Sequence, residues 1–266
     1  MSETACRLWV IAHRGGAALG PENTLAAMRA SVEAGADMLE VDVQNTSDGR
    51  LVICHDRLLE RTSGVDLDVV DCTLPEVRVL DVGSHFGSEF EGERIPTLVE
   101  VLDWAHGRTR LLLDLRLESG HESQVIGEIV ARRMEFDVVL GIHTVESLRA
   151  VRAICPSLRV VSLARSLWAT QDMVDERVDL VRLWQEWATP DHIRRFHQMG
   201  VPVWVVTGGR SPETAGQATI EQLRALGSGG ADGVILNDPR LAVALTEGQA
   251  VLAGCGASAA TPAGSV

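Results

Sequence analysis

The chain has 266 residues, 45% hydrophobic and 23% charged, with a formal net charge of −13. No apolar run reaches the length of a membrane span, and the acidic balance argues against a nucleic-acid binder, which needs a basic face. Five scattered Cys argue against a disulfide framework and a Cys-based zinc site, and the N-terminus, without a basic region and apolar stretch, does not read as a secretory signal, so a cytoplasmic location is expected.

In chain order, short apolar runs of strand length alternate with segments of helical period. RLWVIAHR (7–14) precedes NTLAAMRASVEAGA (23–36), and MLEVDVQ (38–44) is followed by the short run LVICH (51–55). Residues 57–96 hold turns and one short candidate strand, and they read as an insertion. Next come IPTLVEVLDWAHG (95–107), RLLLDLR (110–116), HESQVIGEIVARRM (121–134), DVVLGIH (137–143) and TVESLRAVRAI (144–154). RVVSLAR (159–165), a weaker helical segment at 170–178, DLVRLWQ (179–185) and TPDHIRRFHQMG (189–200) continue the pattern. PVWVVTG (202–208), TIEQLRALGSGG (219–230), ADGVILND (231–238) and PRLAVALTEGQ (239–249) close it. Thr144, Thr189 and Asp238 are expected helix N-caps.

The strand runs are nearly continuous in apolar residues, as in a parallel sheet buried on both faces. Eight such βα units in about 250 residues predict a TIM (β/α)8 barrel with a small insertion after the second strand. The rival, a doubly wound sheet, usually carries GxGxxG at its first turn, and RGGAALG does not match it. The expected domain is 1–249, with 250–266 as a flexible Ala/Gly/Ser-rich tail.

Parallel barrels build their sites at the carboxyl ends of the strands. There the sequence places His13 and Arg14, Glu40 and Asp42, His55, Asp114 and Arg116, His143, Arg165 and Gln185, with Trp184 and Trp187 near the last as either pocket wall or core. Residues two apart share a strand face, so Glu40 and Asp42 point the same way, as do Asp114 and Arg116. Three carboxylates without a Cys suit a hard cation, Mg or Ca. Every basic residue is Arg, since Lys is absent. An anionic substrate in this acidic protein therefore needs local Arg or a cation. Two histidines as base and acid, a cation, and Arg forks for phosphate oxygens are the parts needed to break a P–O bond. Glu22 and Asn23 read as turn and capping residues, and Trp204 as either a pocket wall or core.

AHRGG, PENT, LEVDVQNTSDGRLVICHD and IPTL, in this order and spacing, resemble the N-terminal half of the glycerophosphodiester phosphodiesterase family. The resemblance extends more weakly to about residue 240. It implies a barrel hydrolase that uses a divalent metal to release sn-glycerol 3-phosphate and an alcohol. It also implies His13 and His55 as acid/base groups, Arg14 as a phosphate contact, and Glu40 and Asp42 as metal ligands. Asp114 stands where that family usually has a Glu ligand, and Arg116 where it has Lys. Ile142-His143, Trp204 through Thr207, and Leu236-Asn237 depart from its usual second half.

His143 and Trp204 are therefore candidate substrate contacts on an altered side of the pocket. The substrate expected is a small-molecule or lipid-derived phosphodiester, with the oligomeric state left open. Two alternatives stand beside it. One is a related phosphodiesterase or phosphatase acting on a lysophospholipid, a sphingolipid or a specialised-metabolite phosphate. The other is a binding protein that keeps the barrel without turnover.

Overall fold

The eight long apolar runs become parallel strands that close into a ring. The computed structural model describes residues 7–117 and 121–246. The strands are β1 (Trp9–Ala12), β2 (Met38–Asn45), β3 (Leu51–Ile53), β4 (Arg110–Leu115), β5 (Val138–Ile142), β6 (Arg159–Ser162), β7 (Leu180–Trp184), β8 (Val203–Val206) and β9 (Gly233–Leu236). Their order is β1-β9-β8-β7-β6-β5-β4-β2, and β2 pairs back onto β1 to close the barrel. Strand β3 lies outside the ring, antiparallel to β2. The helices are α1 (Leu25–Glu33), α2 (Glu60–Ser63), α3 (Leu74–Arg78), α4 (Leu98–Ala105), α5 (Glu122–Ala131), α6 (Val145–Ile154), α7 (Leu167–Asp175), α8 (Pro190–Gln198) and α9 (Ile220–Ser228).

Alternation along each strand sorts its side chains into two cores. Ile11, Met38, Leu112, Val161, Leu180, Trp204 and Ile235 fill the barrel interior. Val10, Leu39, Val41, Leu113 and Val205 face outward and pack with helix residues such as Leu102, Ile129 and Phe196. Burial of each Leu, Ile or Phe is worth about 1.5–3 kcal/mol. Thr144 and Thr189 cap α6 and α8, accepting from the Ser147 and His192 N–H groups at 3.2 Å each. The Asp238 carboxylate accepts from the Arg240 N–H at 3.1 Å.

Residues between β3 and α4 form their own small apolar cluster, with Val52, Leu59, Val69, Val77 and Ile95 buried together. The short strand expected there is a single bridge between Leu58 and Asp68, and α2 and α3 supply the regular structure. Helix α7 starts earlier than 170 because the Ser166 hydroxyl caps it, accepting from the Ala169 N–H at 3.1 Å. The expected tail at 250–266 lies outside the described residues. Among the described residues no helix is long and apolar enough to cross a membrane.

Candidate active site

The polar residues of the mouth are set by where β1, β2 and β4 stop. Strand β1 ends at Ala12, and His13–Gly15 forms one tight 3-10 turn. Arg14 within it is left-handed, with φ 51° and ψ 39°. That conformation costs an L residue about 1–2 kcal/mol. It aims the Arg14 backbone N–H at Glu40 Oε2, 2.7 Å away. The Arg14 guanidinium is only 3% exposed and donates to Glu22 at 3.0 and 3.1 Å.

Asp42 and Asp114 are side-by-side partners on the neighbouring parallel strands β2 and β4, and Glu40 lies two residues back on the same face as Asp42. One oxygen from each of the three acids lies within 4.8 Å of the others. Burial, then the charges of Asp42 and Asp114, hold the Glu40 carboxyl well above its ordinary range. Burial also pushes Asp42 up, but the charges of Arg116, His55 and Arg14, with a hydrogen bond from Asn23, more than reverse it and leave it low. Asp114 is lowered despite its burial, by Arg116 and by the charge and hydrogen bond of His143. Three buried carboxylates this close repel one another, and among the described residues Arg116 alone bridges two of them: its Nε donates to Asp42, and its Nη2 to Asp114 at 3.1 Å. An oxygen-only, crowded and under-neutralised set fits a hard divalent cation.

The two histidines are held differently. His13 Nδ1 meets Asn237 Oδ1 at 2.7 Å, and the Asn237 amide donates to the Ala215 carbonyl at 3.0 Å. That second bond fixes the amide, so the oxygen faces His13, Nδ1 donates, and Nε2 keeps a lone pair. Burial, then the Arg14 charge, lower the His13 imidazole to about 4. His55 Nδ1 donates to Asp56 Oδ1 at 2.6 Å, and Asp56 accepts from Arg61 Nε at 2.7 Å. Both histidines feel the charge of Asp42.

His13, Glu40, Asp114, Arg116 and His143 line one cleft of about 240 Å³ at the strand ends. Asp42 is 1% exposed and lies beneath its floor, while His55 faces an adjoining hollow with Glu22, Asn23 and Asp56. His143 Nε2 meets Asp114 Oδ1 at 2.8 Å and its Nδ1 meets the Leu163 carbonyl at 3.1 Å. Trp204 is packed in the interior layer below the cleft and is not among its lining residues. Its strand partner is Gly233, where a Cβ would meet the indole at 2.7 Å.

Several residues of the site escaped the sequence reading. Asn23 donates to Asp42 Oδ2 at 2.8 Å, and the capping falls instead to Thr24, whose hydroxyl accepts from the Ala27 N–H. Glu22 ties Arg14 to Arg61. Arg182 and Arg210 were not singled out either; with Arg165 and Trp184, which the sequence places at strand ends, they form the far wall of the cleft. Counting by twos from Trp184 would have turned Arg182 inward; no signal of this kind marks Asn237 as the partner of His13.

A parallel eight-stranded barrel thus gathers three acids, a neutral histidine and an Arg at its mouth, a set that could hold a divalent cation. The chain belongs to the glycerophosphoryl diester phosphodiesterase family, whose pattern it matches over residues 13–241. It is 41% identical over 157 residues to a glycerophosphodiester phosphodiesterase of Caldanaerobacter subterraneus subsp. tengcongensis, covering 57% of this chain and 64% of that protein. It is 38% identical over 128 residues to human lysophospholipase D GDPD1, covering 46% of this chain and 40% of that one. The chain thus spans less than two thirds of the length of these relatives. The fold matches that of an Oleispira antarctica phosphodiesterase solved with the product sn-glycerol-3-phosphate, with a TM-score of 0.79 and 24% identity, covering 90% of this chain and 96% of that one.

Proposed function

We propose that this protein hydrolyses a glycerophosphodiester to sn-glycerol 3-phosphate and an alcohol, with Mg or Ca at Glu40, Asp42 and Asp114. The observation that carries the proposal is that Glu40, Asp114 and a neutral, oriented His13 line one cleft while Asp42 completes the acidic triad beneath its floor. The Oleispira neighbour's product and the Caldanaerobacter relative's name agree with it.

A bound cation stabilises negative charge developing on the phosphoryl group. The chain's own residues do the rest. His13 Nε2, unprotonated and fixed by Asn237, takes the proton from the attacking hydroxyl or water. His55, oriented by its Nδ1 hydrogen bond to Asp56, gives a proton to the departing alcohol oxygen. Arg116 is 32% exposed, and with a cation held by Glu40, Asp42 and Asp114 its guanidinium would be available to phosphate oxygens. Arg14 contributes positive charge from below and holds Glu40 through its backbone. His143 keeps Asp114 in place and borders the substrate.

The human relative's name favours a second reading, in which the diester is a lysophospholipid. Leu112, Leu163, Val206 and Ile235 give the cleft the apolar lining that such a substrate needs. Phosphorus NMR of reactions with glycerophosphodiesters and lysophospholipids separates the two and reveals any cyclic phosphate. Under the first reading His13→Ala lowers turnover of glycerophosphodiesters by about 10²–10⁴-fold. Activity that survives both His13→Ala and a chelator refutes it.

A further inference from the structure

The chain carries a net charge of −13, yet one wall of the cleft, formed by the ends of β6 and β7 and the loop after β8, holds Arg165, Arg182 and Arg210. Arg182 points inward from β7 on the same face as Trp184 and is 8% exposed. Its Nη1 is buried without a hydrogen-bond partner, and its Nη2 reaches only the Leu163 carbonyl, at 3.4 Å. Its guanidinium lies 4.5 Å from the centre of the Trp184 ring, and that of Arg210 lies 5.9 Å from the same ring. Arg210 meets Glu186 at 3.4 Å, where both side chains are at least half exposed. Arg165 has no ion pair or hydrogen bond among the described residues.

A buried guanidinium without a carboxylate partner is costly. Burial shows in Arg182, whose guanidinium is lowered to about 10 even though Asp114 and Glu40 oppose the shift. The acids that line the cleft are already engaged: Asp114 by Arg116 and His143, and Glu40 by the Arg14 N–H. The wall therefore offers cationic donors to the cleft, and among the described residues its one carboxylate partner is Glu186, half-exposed and at 3.4 Å from Arg210.

We propose that this wall binds a second anionic group of the substrate, a phosphate or carboxylate on the alcohol joined to the scissile phosphate. The inference rests on the phosphodiesterase reading and names its substrate class: glycerophosphodiesters of an anionic alcohol. Guanidinium forks take such oxygens with charge-assisted bonds, and a cationic alcohol meets like charge instead.

The test compares three diesters on the protein supplied with its cation: glycerophosphocholine, glycerophosphoglycerol, and glycerophosphoglycerol bearing a terminal phosphate. Steady-state kinetics and calorimetric affinity are read for each. The expected order is anionic above neutral above cationic, with kcat/KM for the anionic diester about 10–100-fold above the neutral one. Arg182→Met and Arg210→Met each bring that ratio toward one through KM. Arg210 is at the surface, so its variant reports even if the Arg182 variant folds poorly. Equal kcat/KM for the three diesters overturns the proposal, as does an equal loss on all three in both variants. If none of the three is hydrolysed, the phosphodiesterase reading fails by itself. The calorimetric order still judges the wall, and equal affinities overturn it.

Discussion

Gly216 stands where one methyl group separates a working His13 from a displaced one. Its φ is +80°, and a Cβ built there would come 2.1 Å from Asn237 Oδ1 and 2.5 Å from His13 Nδ1. Real side-chain atoms do not tolerate such approaches, so Gly216→Ala must push the amide and the imidazole apart. Left-handed backbone costs an Ala about 1–2 kcal/mol. Breaking the hydrogen bond between the buried ring and the amide adds about 1–3 kcal/mol. The total of about 2–5 kcal/mol corresponds to roughly 5–15 °C in Tm for a protein of this size. Turnover falls by about 10²-fold, since the base loses its aim by about an ångström. Differential scanning calorimetry reads the first effect and glycerophosphodiester turnover the second. Asn237→Ala serves as the control: it removes the same hydrogen bond without backbone strain, so it loses less Tm and a similar share of turnover. A Gly216→Ala protein that melts early but keeps wild-type kcat would refute the link between His13 orientation and catalysis.

Three further outcomes follow from the same site. The folded His13 imidazole lies at about 4 against an ordinary 6.5, so only the unfolded chain takes up the proton between these values. Stability is full above the upper value and falls by about 3 kcal/mol as pH drops through that window, at 1.36 kcal/mol per unit; urea melts of His13→Gln in chelator show a shallower fall. Mg or Ca at 100 times its Kd stabilises the wild type by about 2.7 kcal/mol; Glu40→Gln and Asp42→Asn shift less in thermal melts at the same cation concentration. Arg116→Met destabilises the chelated protein by about 1–3 kcal/mol, discounted for the partial exposure of Arg116, because Asp42 and Asp114 lose their shared partner. In titrated melts that loss shrinks as a divalent cation takes over the neutralisation.

The barrel was legible because each strand run is apolar on both faces, and its polar ends were legible because period two puts Glu40 with Asp42 and Asp114 with Arg116. What periodicity does not carry is depth and distant pairing. Trp204 and Val206 share an inward face, but only Val206 reaches the cleft, since Trp204 fills the space left by Gly233 two rungs lower. His13 and Asn237 are 224 residues apart and meet only because β9 pairs with β1. Arg14 reads as a substrate contact at a strand end, yet the left-handed turn buries its guanidinium and turns its N–H to Glu40. Asn23 reads as a cap, but its own positive φ of 60° leaves that role to Thr24 and frees its amide for Asp42.

The most direct measurement is the initial rate of sn-glycerol 3-phosphate release from a glycerophosphodiester, followed by phosphorus NMR, in chelator and then with Mg or Ca restored, for wild type and Asp42→Asn. The account predicts release by the wild type only with the cation present and a loss of at least about 10²-fold in Asp42→Asn. Release at an undiminished rate in chelator, with Asp42→Asn as active as the wild type, would contradict it.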